Sequence, residues 1–296
     1  MKTRIYFLSL VLLSGFFTSA YAQTAKDSVT FVNAKWKSKC IHMGGITLRQ
    51  CAFTDDHSLF NSNQFISVLE IRNSFRFDVV ADTALITTAD FVKASHAMAG
   101  INGSFFALDA PWHSVDYLRV DTVEIAPNRL SKEGQRLFHQ EAALTVSVKG
   151  RLGIHKAPEV NPTDSTDWES ALVAEDVLTS GPLLRYKGMD QILDSTSFVT
   201  TRHPRTAVAL RKGGRVLLVV VDGRAQEAAG MSLPELQAVL RWLRAYDAVN
   251  FDGGGSSTLC VRKNTNKPVE IVNHPCDNRV FDKQGARRVA NALVVK

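Results

Sequence analysis

The chain of 296 residues is 45% hydrophobic and 22% charged, which excludes a disordered protein and leaves ample length for a self-sufficient core. The formal net charge is +6, from 35 lysine and arginine against 29 aspartate and glutamate residues. Two of the basic residues lie in a segment that we expect to be removed. The remaining excess is too small to indicate a nucleic-acid-binding protein.

The first 22 residues have the pattern of a secretory signal peptide. Lys2 and Arg4 precede an apolar stretch over residues 5–17, and the Ala-Tyr-Ala sequence at 20–22 matches a small-x-small cleavage site. The apolar stretch is shorter than the roughly 20 residues that a membrane-spanning helix needs. We therefore expect cleavage near Ala22 and a periplasmic or extracellular protein without a membrane span.

The four cysteines predict two disulfides in an exported protein. They fall into two local pairs, Cys40 with Cys51 and Cys260 with Cys276, and disulfides form readily in an oxidising compartment. Four cysteines allow three pairings, of which the two local pairs close the shortest loops. No Cys-x-x-Cys spacing is present, which argues against a zinc site.

Residues 23–87 are predicted to form a strand-rich N-terminal part that packs on the main domain. Within it, segments 66–71 and 75–80 are strand-like and are separated by an Asn-Ser turn. Residues 88–99 then follow a helical period, for which Thr87 and Asp90 supply a capping box and Gly100 a stop signal.

The middle of the chain is less regular. Residues 108–140 are polar and of mixed charge, and we expect a surface excursion there. Residues 142–148 and 151–154 form a predicted hairpin, and 161–169 read as an exposed loop.

The C-terminal part is the most regular. Residues 207–210 and 216–221 flank a Gly-Gly turn and predict a hairpin whose second strand is apolar throughout and buried on both faces. A helix begins after Ser232, and residues 248–251 form another short strand. Because strands outnumber helices, we predict an α+β fold with a largely antiparallel or mixed sheet core and a few flanking helices.

Two carboxylates occupy equivalent places in the sequence. Asp222 and Asp252 each follow an apolar strand directly and each precede glycine. Asp-Gly is common in turns, but two such sites at the ends of buried strands favour a catalytic cleft if both strands end on one sheet edge. The pair therefore forms the candidate catalytic centre.

The segment after Asp252 has no side chain before Ser256, because three glycines intervene. Such a run permits close approach of a ligand to the backbone and offers amide N–H groups to an anion. Neither a Walker loop nor a Gly-x-Ser-x-Gly nucleophile elbow fits the spacing. The predicted binding residues of this segment, acting through backbone or hydroxyl groups, are Gly253, Gly254, Gly255, Ser256 and Ser257.

A second group of candidates surrounds the C-terminal hairpin. His203, Arg205 and Thr206 lie at its start and Arg224 just after its end, so antiparallel pairing brings the two arginines close together. A pair of guanidinium groups suits a phosphate, and we predict a clamp on an anionic ligand.

These pieces, together with the strand ends at Asn102, Gly103 and Ser180, resemble the phosphodiester glycosidase family over about residues 88–296. The motifs that carry the resemblance are Asn102-Gly103-Ser104-Phe105-Phe106, Ser180-Gly181-Pro182-Leu183, His203-Pro204-Arg205-Thr206, Val220-Val221-Asp222-Gly223-Arg224, Gly230-Met231-Ser232, Asn250-Phe251-Asp252-Gly253-Gly254-Gly255-Ser256-Ser257-Thr258 and Arg288-Val289-Ala290-Asn291-Ala292-Leu293. The resemblance implies a catalytic domain over 88–296 that hydrolyses a sugar-1-phosphodiester, typically one of N-acetylglucosamine, in a phosphorylated glycan.

If the C1–O bond breaks, the leaving phosphate monoester needs cations around it and a carboxylate facing the oxocarbenium-like carbon. Arg205, Arg224 and His203 suit the phosphate, and Asp222 or Asp252 the carbon, in either order. No cofactor is required in this scheme.

Two alternatives stay open. The first is a phosphodiesterase that cleaves at phosphorus with Ca²⁺ or Mg²⁺ bound by Asp222, Asp252 and Asn102. The second is a glycan-binding module of the same fold without activity.

Overall fold

The structure, a computed structural model, describes residues 25–158 and 168–296. Within these ranges the chain forms four α-helices: α1 (25–33), α2 (Thr88–Ala94), α3 (Ser197–Thr200) and α4 (Leu233–Trp242). The strands of the same ranges are β1 (Lys37–His42), β2 (Ile46–Phe53), β3 (Gln64–Arg72), β4 (Phe77–Thr87), β5 (Ala99–Asn102), β6 (Leu118–Val120), β7 (Val123–Ala126), β8 (Ala142–Val146), β9 (Leu152–Lys156), β10 (Asp176–Ser180), β11 (Leu183–Tyr186), β12 (Met189–Asp190), β13 (Arg205–Arg211), β14 (Arg215–Val221), β15 (Asp247–Phe251), β16 (Leu259–Val261), β17 (Glu270–Ile271) and β18 (Arg288–Val295).

The strands form three antiparallel sheets. The largest has the order β1-β2-β3-β14-β13-β15-β11-β12, and the other two have the orders β7-β6-β10-β8-β9 and β17-β16-β5-β18-β4. The predicted α+β class with a largely antiparallel core is therefore confirmed.

β14 lies in the interior of the eight-stranded sheet because it is apolar on both faces. Alternate residues point to opposite sides: Leu218 belongs to the cluster that faces the other sheets, whereas Leu217 and Val219 belong to the cluster under α4. The predicted hairpin with β13 forms, with both glycines of its turn at positive φ. α4 begins at the predicted capping box of Ser232 and Glu235.

The N-terminal part contributes strands to two of the sheets. β3 pairs with β14 along its length, which extends the large sheet towards β2 and β1. β4 pairs with the C-terminal strand β18. The strands before residue 88 are thus hydrogen-bonded neighbours of the strands that follow.

α2 has the predicted capping box, in which Thr87 and Asp90 bond each other's backbone. The helix nevertheless ends at Ala94 rather than at Gly100, because His96 takes a left-handed conformation with φ 53°. Gly100 lies inside β5, where Ala99–Asn102 pairs with β16 and β18.

The prediction of a surface excursion over residues 108–140 is wrong in part. This stretch contains β6 and β7, and Tyr117 and Leu118 are buried in the sheet that these strands form with β10. Asp116 and His139 are also buried. Some polar residues of this segment are therefore buried, so its polar composition does not mean that the whole segment is exposed to water. The predicted hairpin at 142–154 is confirmed as β8 and β9.

The two predicted disulfides are not formed, and the four cysteines are free thiols. Cys40 lies opposite Thr47 in the register of β1 and β2, so Cys51 is four residues further along, about 13 Å away. A disulfide requires Cα atoms closer than about 7 Å. Cys260 is fully buried in β16.

The signal peptide over residues 1–22 lies outside the described residues, as does most of the predicted loop at 161–169. Within 25–158 and 168–296, no helix combines the length and the apolar character needed to cross a membrane.

Candidate active site

Two aspartates lie at one edge of the eight-stranded sheet. β13 lies between β14 and β15 and is antiparallel to both, so β14 and β15 run in the same direction and end together. Asp222 follows β14, Asp252 follows β15, and Arg205 begins β13 between them. Two strand spacings place the aspartate backbones about 10 Å apart.

A buried polar network around Asn102 joins this edge to the sheet that contains β5. The Asn102 amide donates to the Asp252 carbonyl at 2.7 Å, and its Oδ1 accepts from the Thr206 hydroxyl at 3.0 Å and from the Thr258 amide at 3.1 Å. The Thr206 hydroxyl also lies 3.1 Å from the Ser257 hydroxyl. All of these side chains are buried, so they lie beneath the site and hold its floor.

Ser180 and Gly103 also have structural contacts. The Ser180 hydroxyl is fully buried and donates to the Asn250 carbonyl at 2.9 Å, which links β10 to β15. A Cβ on Gly103 would lie 1.8 Å from Asn291 Oδ1, so only glycine fits there. The structure places neither residue where a substrate would reach its side chain.

The Asp222 carboxylate is committed to neighbouring donors. Its Oδ1 accepts from the Asn273 amide at 2.9 Å, and its Oδ2 accepts from the His274 backbone N–H at 3.0 Å and lies 2.8 Å from His274 Nδ1. Burial raises the pKa of Asp222, and the bonds from His274 and Asn273 offset part of that rise. Because Asp222 is 1% exposed and its Oδ2 is hydrogen-bonded to His274, its role is to orient that histidine.

His274 is the more exposed residue of the pair that it forms with Asp222. Its ring stacks on Phe281 with 3.9 Å between centroids and meets Phe65 edge-on at 4.8 Å. A proton on Nδ1 that is shared with the Asp222 carboxylate leaves Nε2 as the nitrogen that can accept a proton. Asp222 and His274 thus form a dyad suited to proton transfer.

Asp252 is half-buried at the end of β15. Burial raises the pKa of Asp252 to about 6, although the Ser256 hydroxyl and the Arg287 charge oppose the rise, and the nearby Asp116 charge adds to it. A carboxyl group with such a pKa is ionised at neutral pH and can act as a base or nucleophile.

The glycine run after Asp252 lets two arginines reach the loop. A Cβ on Gly254 would lie 3.1 Å from Arg224 Nη2, so the exposed guanidinium of Arg224 rests on this glycine. A Cβ on Gly255 would lie 1.8 Å from Asp277 Oδ1 and 2.5 Å from Arg287 Nη2. The loop is thus bordered by two cations.

Arg287 forms a two-bond pair with Asp277, at 2.8 Å from Nε and 2.7 Å from Nη2. The side chain remains partly exposed. Its charge also acts on Asp252, as the pKa of that residue shows. Sequence reasoning missed Arg287, because it lies just before the motif that begins at Arg288, at the end of a polar segment.

Arg205 is buried rather than open to a ligand. Its Nε donates to the Met231 carbonyl at 2.9 Å, and its Nη2 donates to the carbonyls of Phe198 at 2.6 Å and Thr201 at 2.9 Å. The guanidinium also lies over the Phe198 ring. A bidentate phosphate contact through these two nitrogens would break the three bonds, so the structure gives Arg205 a scaffolding position.

His203 is half-buried beside the two arginines. Burial lowers the pKa of His203, and the positive charges of Arg205 and Arg224 lower it further. Its backbone pairs with Met231, the residue that precedes the cap of α4. The lowered pKa favours the neutral imidazole of His203 beside the Arg224 cation.

A second carboxylate–histidine pair borders Asp252. His139 Nδ1 lies 2.5 Å from Asp116 Oδ1, and burial raises the pKa of Asp116 while His139 opposes the rise. Rings of Phe105, Phe138 and Phe198 pack around this histidine and one another. Sequence reasoning missed this pair because it assigned the whole segment to the surface.

A separate acidic group lies between β4 and β10. Oxygen atoms of Asp78, Asp121 and Asp176 lie within 4.8 Å of one another. Asp176 accepts from the backbone N–H groups of Val79 and Asp121, and Asp78 pairs with Lys296. The carboxylates of Asp78 and Asp176 thus have protein partners, and the group shares no residue with the site at Asp222 and Asp252.

A family model described as phosphodiester glycosidase matches residues 95–296, which is more than half of the chain. The chain belongs to the phosphodiester glycosidase family. The match includes the strand ends at Asp222 and Asp252, the glycine run and Arg287.

Solved structures of similar fold support this placement of the phosphodiester glycosidase chain. The catalytic domain of zebrafish N-acetylglucosamine-1-phosphodiester alpha-N-acetylglucosaminidase, auto-inhibited by its pro-peptide, is 18% identical with a TM-score of 0.60 over 88% of this chain and 87% of that one. A hypothetical protein from Synechocystis is 16% identical, with a TM-score of 0.56 over 88% and 63% of the two chains. A Burkholderia pseudomallei K96243 protein described as exported is 16% identical, with a TM-score of 0.54 over 80% and 75%.

Among curated proteins, the SPbeta prophage-derived uncharacterized protein YomE of Bacillus subtilis (strain 168) is 27% identical over 109 residues. The matched region is 32% of this chain and 17% of that relative. This likeness adds no activity to the family placement.

Replacing Arg205 with alanine should destabilise the protein, because three carbonyls lose their donor and a cavity forms beside Phe198. We expect the free energy of unfolding to fall by about 3 kcal/mol or more in denaturant titrations. Arg224→Ala, an exposed change at the same edge, should alter it by less than about 0.5 kcal/mol. Equal unfolding midpoints for the two variants would show that Arg205 is not a scaffold residue.

Proposed function

We propose that this protein is an exported hydrolase that cleaves a sugar-1-phosphodiester in a phosphorylated glycan. The observation that carries the proposal is the convergence at one sheet edge of a half-buried carboxylate, Asp252, and the cations of Arg224 and Arg287, with the imidazole of His203 beside Arg224. Family membership and the fold shared with the zebrafish glycosidase support the same substrate class. The signal-peptide pattern supports export.

The substrate has two bonds that water could attack, and the residues favour the bond between C1 of the sugar and oxygen. Cleavage there releases a phosphate monoester that leaves as an anion, and the sugar carbon becomes positively charged in the transition state. Cations at the phosphate and a carboxylate at C1 stabilise both charges. Arg224 and His203 lie on one side of the glycine loop for the phosphate, and Asp252 supplies the carboxylate.

The two aspartates have different parts in this scheme. Asp252 faces the sugar as nucleophile or base, because its carboxyl group is half-buried and ionised at neutral pH. Asp222 is a positioning residue, since all of its contacts are to His274 and Asn273. His274 transfers the proton of the attacking water through Nε2 while Nδ1 shares its proton with Asp222.

The alternative of a metal-dependent phosphodiesterase is less well supported by these contacts. Asp222 accepts from three N–H groups, and Asn102 Oδ1 accepts from two donors, so the oxygens proposed as ligands face hydrogen-bond donors. Asp252 is the member of that set whose carboxylate remains available. Two of the three proposed ligands are therefore occupied by hydrogen bonds, whereas Ca²⁺ and Mg²⁺ require several free oxygen ligands.

The proposed activity is tested with UDP-N-acetylglucosamine or a methyl-phospho-N-acetylglucosamine substrate. Asp252→Asn should lower kcat at least about 100-fold, because the variant keeps the size of the side chain and removes its charge. The control Asp56→Asn changes an exposed aspartate and should leave kcat unchanged. Equal turnover by wild type and Asp252→Asn would exclude Asp252 from the mechanism.

Hydrolysis in ¹⁸O-labelled water identifies the bond that breaks. We expect the label on the sugar hydroxyl, since water attacks C1. Label on the phosphate would contradict C1–O cleavage and favour attack at phosphorus.

The rate should depend on pH through Asp252. Because burial raises its pKa to about 6, the carboxyl group is protonated below that pH and ionised above it. We expect kcat/KM to fall about tenfold per pH unit below 6 and to level above it. A profile that stays flat between pH 4.5 and 7, in protein shown to be folded by circular dichroism, would contradict the assignment.

His274→Ala should lower kcat about 100-fold with little change in KM, because proton transfer is lost while binding groups remain. Added imidazole should restore part of the rate, which a purely structural role would not allow. His57→Ala, at an exposed turn, is the matched control. Loss of thermal stability without rescue by imidazole would show that His274 only supports the fold.

A further inference from the structure

A basic cavity lies at the end of the eight-stranded sheet opposite to Asp222 and Asp252. Its volume is about 690 Å³, and it is formed where β13 ends, β14 begins and α4 ends. The seven residues of β13 run from the aspartate edge to the cavity and span about 20 Å. The cavity is therefore separate from the candidate active site.

The lining of this basic cavity carries a large excess of positive charge. Lys212 and six arginines line it, whereas Glu70 is the one carboxylate among the described lining residues. Asp190 is a second acid close by, through its pairing with two of the arginines. The six arginines are Arg49, Arg185, Arg211, Arg215, Arg241 and Arg244.

Part of this charge has a structural explanation. Arg211 donates to the Leu243 carbonyl at 2.7 Å and to Glu70 at 3.1 Å, and Arg185 donates to the Ala245 carbonyl at 3.0 Å. These bonds satisfy carbonyl groups at the C-terminal end of α4, where basic side chains are favourable.

Two further arginines of the lining pair with carboxylates. Arg215 pairs with Glu70 at 3.6 Å, and Arg241 pairs with Asp190 at 2.7 Å.

Three of the cations in the described lining have no such partner. Arg49, Lys212 and Arg244 form no ion pair with a carboxylate within the described part of the chain. Arg49 lies over the Trp36 ring at 4.9 Å, and Lys212 lies over the Tyr246 ring at 4.8 Å. Like charges gathered in one cavity repel each other, so an anionic ligand would relieve an unfavourable arrangement.

The pKa of Arg211 is consistent with this concentration of positive charge. Burial lowers the pKa of Arg211, Glu70 opposes that change, and the charges of Arg49, Arg215 and Arg244 lower it further. These cations are thus close enough to act on one another. In the same lining, the ring faces of Trp36 and Tyr246 are covered by Arg49 and Lys212, so these aromatic residues hold cations at the cavity.

We propose that the basic cavity binds phosphate groups of a glycan chain whose other segment is at the active site, so that the substrate is a polymer of phosphate-bearing sugars. The proposal rests on the proposed function and extends it to the length of the substrate. Guanidinium and ammonium groups recognise the phosphates.

The test measures binding of a fluorescently labelled phosphomannan by the whole protein in low-salt buffer. The three cations of the described lining without an ion pair are changed together, Arg49→Gln, Lys212→Gln and Arg244→Asn. The control carries the same loss of charge at exposed sites around the third sheet, Lys93→Gln, Lys263→Gln and Lys267→Gln. We expect the cavity variant to bind at least about tenfold more weakly and the control to change by less than about twofold.

Turnover separates this proposal from the proposed function. On UDP-N-acetylglucosamine the cavity variant should keep the wild-type kcat and KM, whereas on phosphomannan its KM should rise with kcat unchanged. If wild type fails to turn over either substrate, the proposed function fails, and the binding comparison still decides the role of the cavity.

Three results would overturn the proposal. Equal weakening by the cavity and control variants would show a general charge effect. Equal binding of unphosphorylated mannan would show that phosphate is not recognised. The third result concerns a single-stranded oligonucleotide with the same number of phosphates. If it binds as tightly as phosphomannan, and the cavity variant weakens both to the same extent, the cavity is a nucleic-acid site.

Discussion

The candidate site depends on the position of one strand. β13 lies between β14 and β15 and is antiparallel to both, which forces the two outer strands to end at the same edge. Asp222 and Asp252 are placed there by strand direction alone. Asn102 then joins this edge to the sheet of β5 through bonds to the Asp252 carbonyl and Thr206. Without that link the floor of the site would have unpaired buried polar groups, which are costly.

Buried and accessible polar residues have different functions at this edge. The sequence suggests ligand-binding roles for Thr206, Ser180 and Arg205. Each is instead buried and hydrogen-bonded within the protein, which is a structural role. The accessible groups are fewer, namely Asp252, His274, Arg224 and Arg287. A rigid buried layer that fixes a small set of accessible charges is the arrangement that electrostatic stabilisation of a transition state requires, because little reorganisation is then needed.

Charge is distributed unevenly over the molecule. The active-site edge mixes carboxylates with cations, whereas the basic cavity at the other end of the sheet has cations with few acids. The modest net charge of the whole chain conceals this difference. Both regions are suited to phosphate, but only the first has carboxylate and imidazole groups that can do chemistry. An anionic polymer is the class of ligand that we propose for both.

The sequence by itself determined the features that rest on local rules. Apolar runs bounded by glycine predicted β14 and β15, capping residues predicted the starts of α2 and α4, and the Asp-Gly ends of two buried strands pointed to the site. Tertiary structure alone decided which polar residues are accessible. It buried Arg205, committed Asp222 to His274, separated Cys40 from Cys51, and brought Arg287 and the pair of Asp116 and His139 towards Asp252. These outcomes depend on contacts between residues that are far apart in the chain, and spacing along one sequence carries no information on which donors and acceptors will meet across sheets.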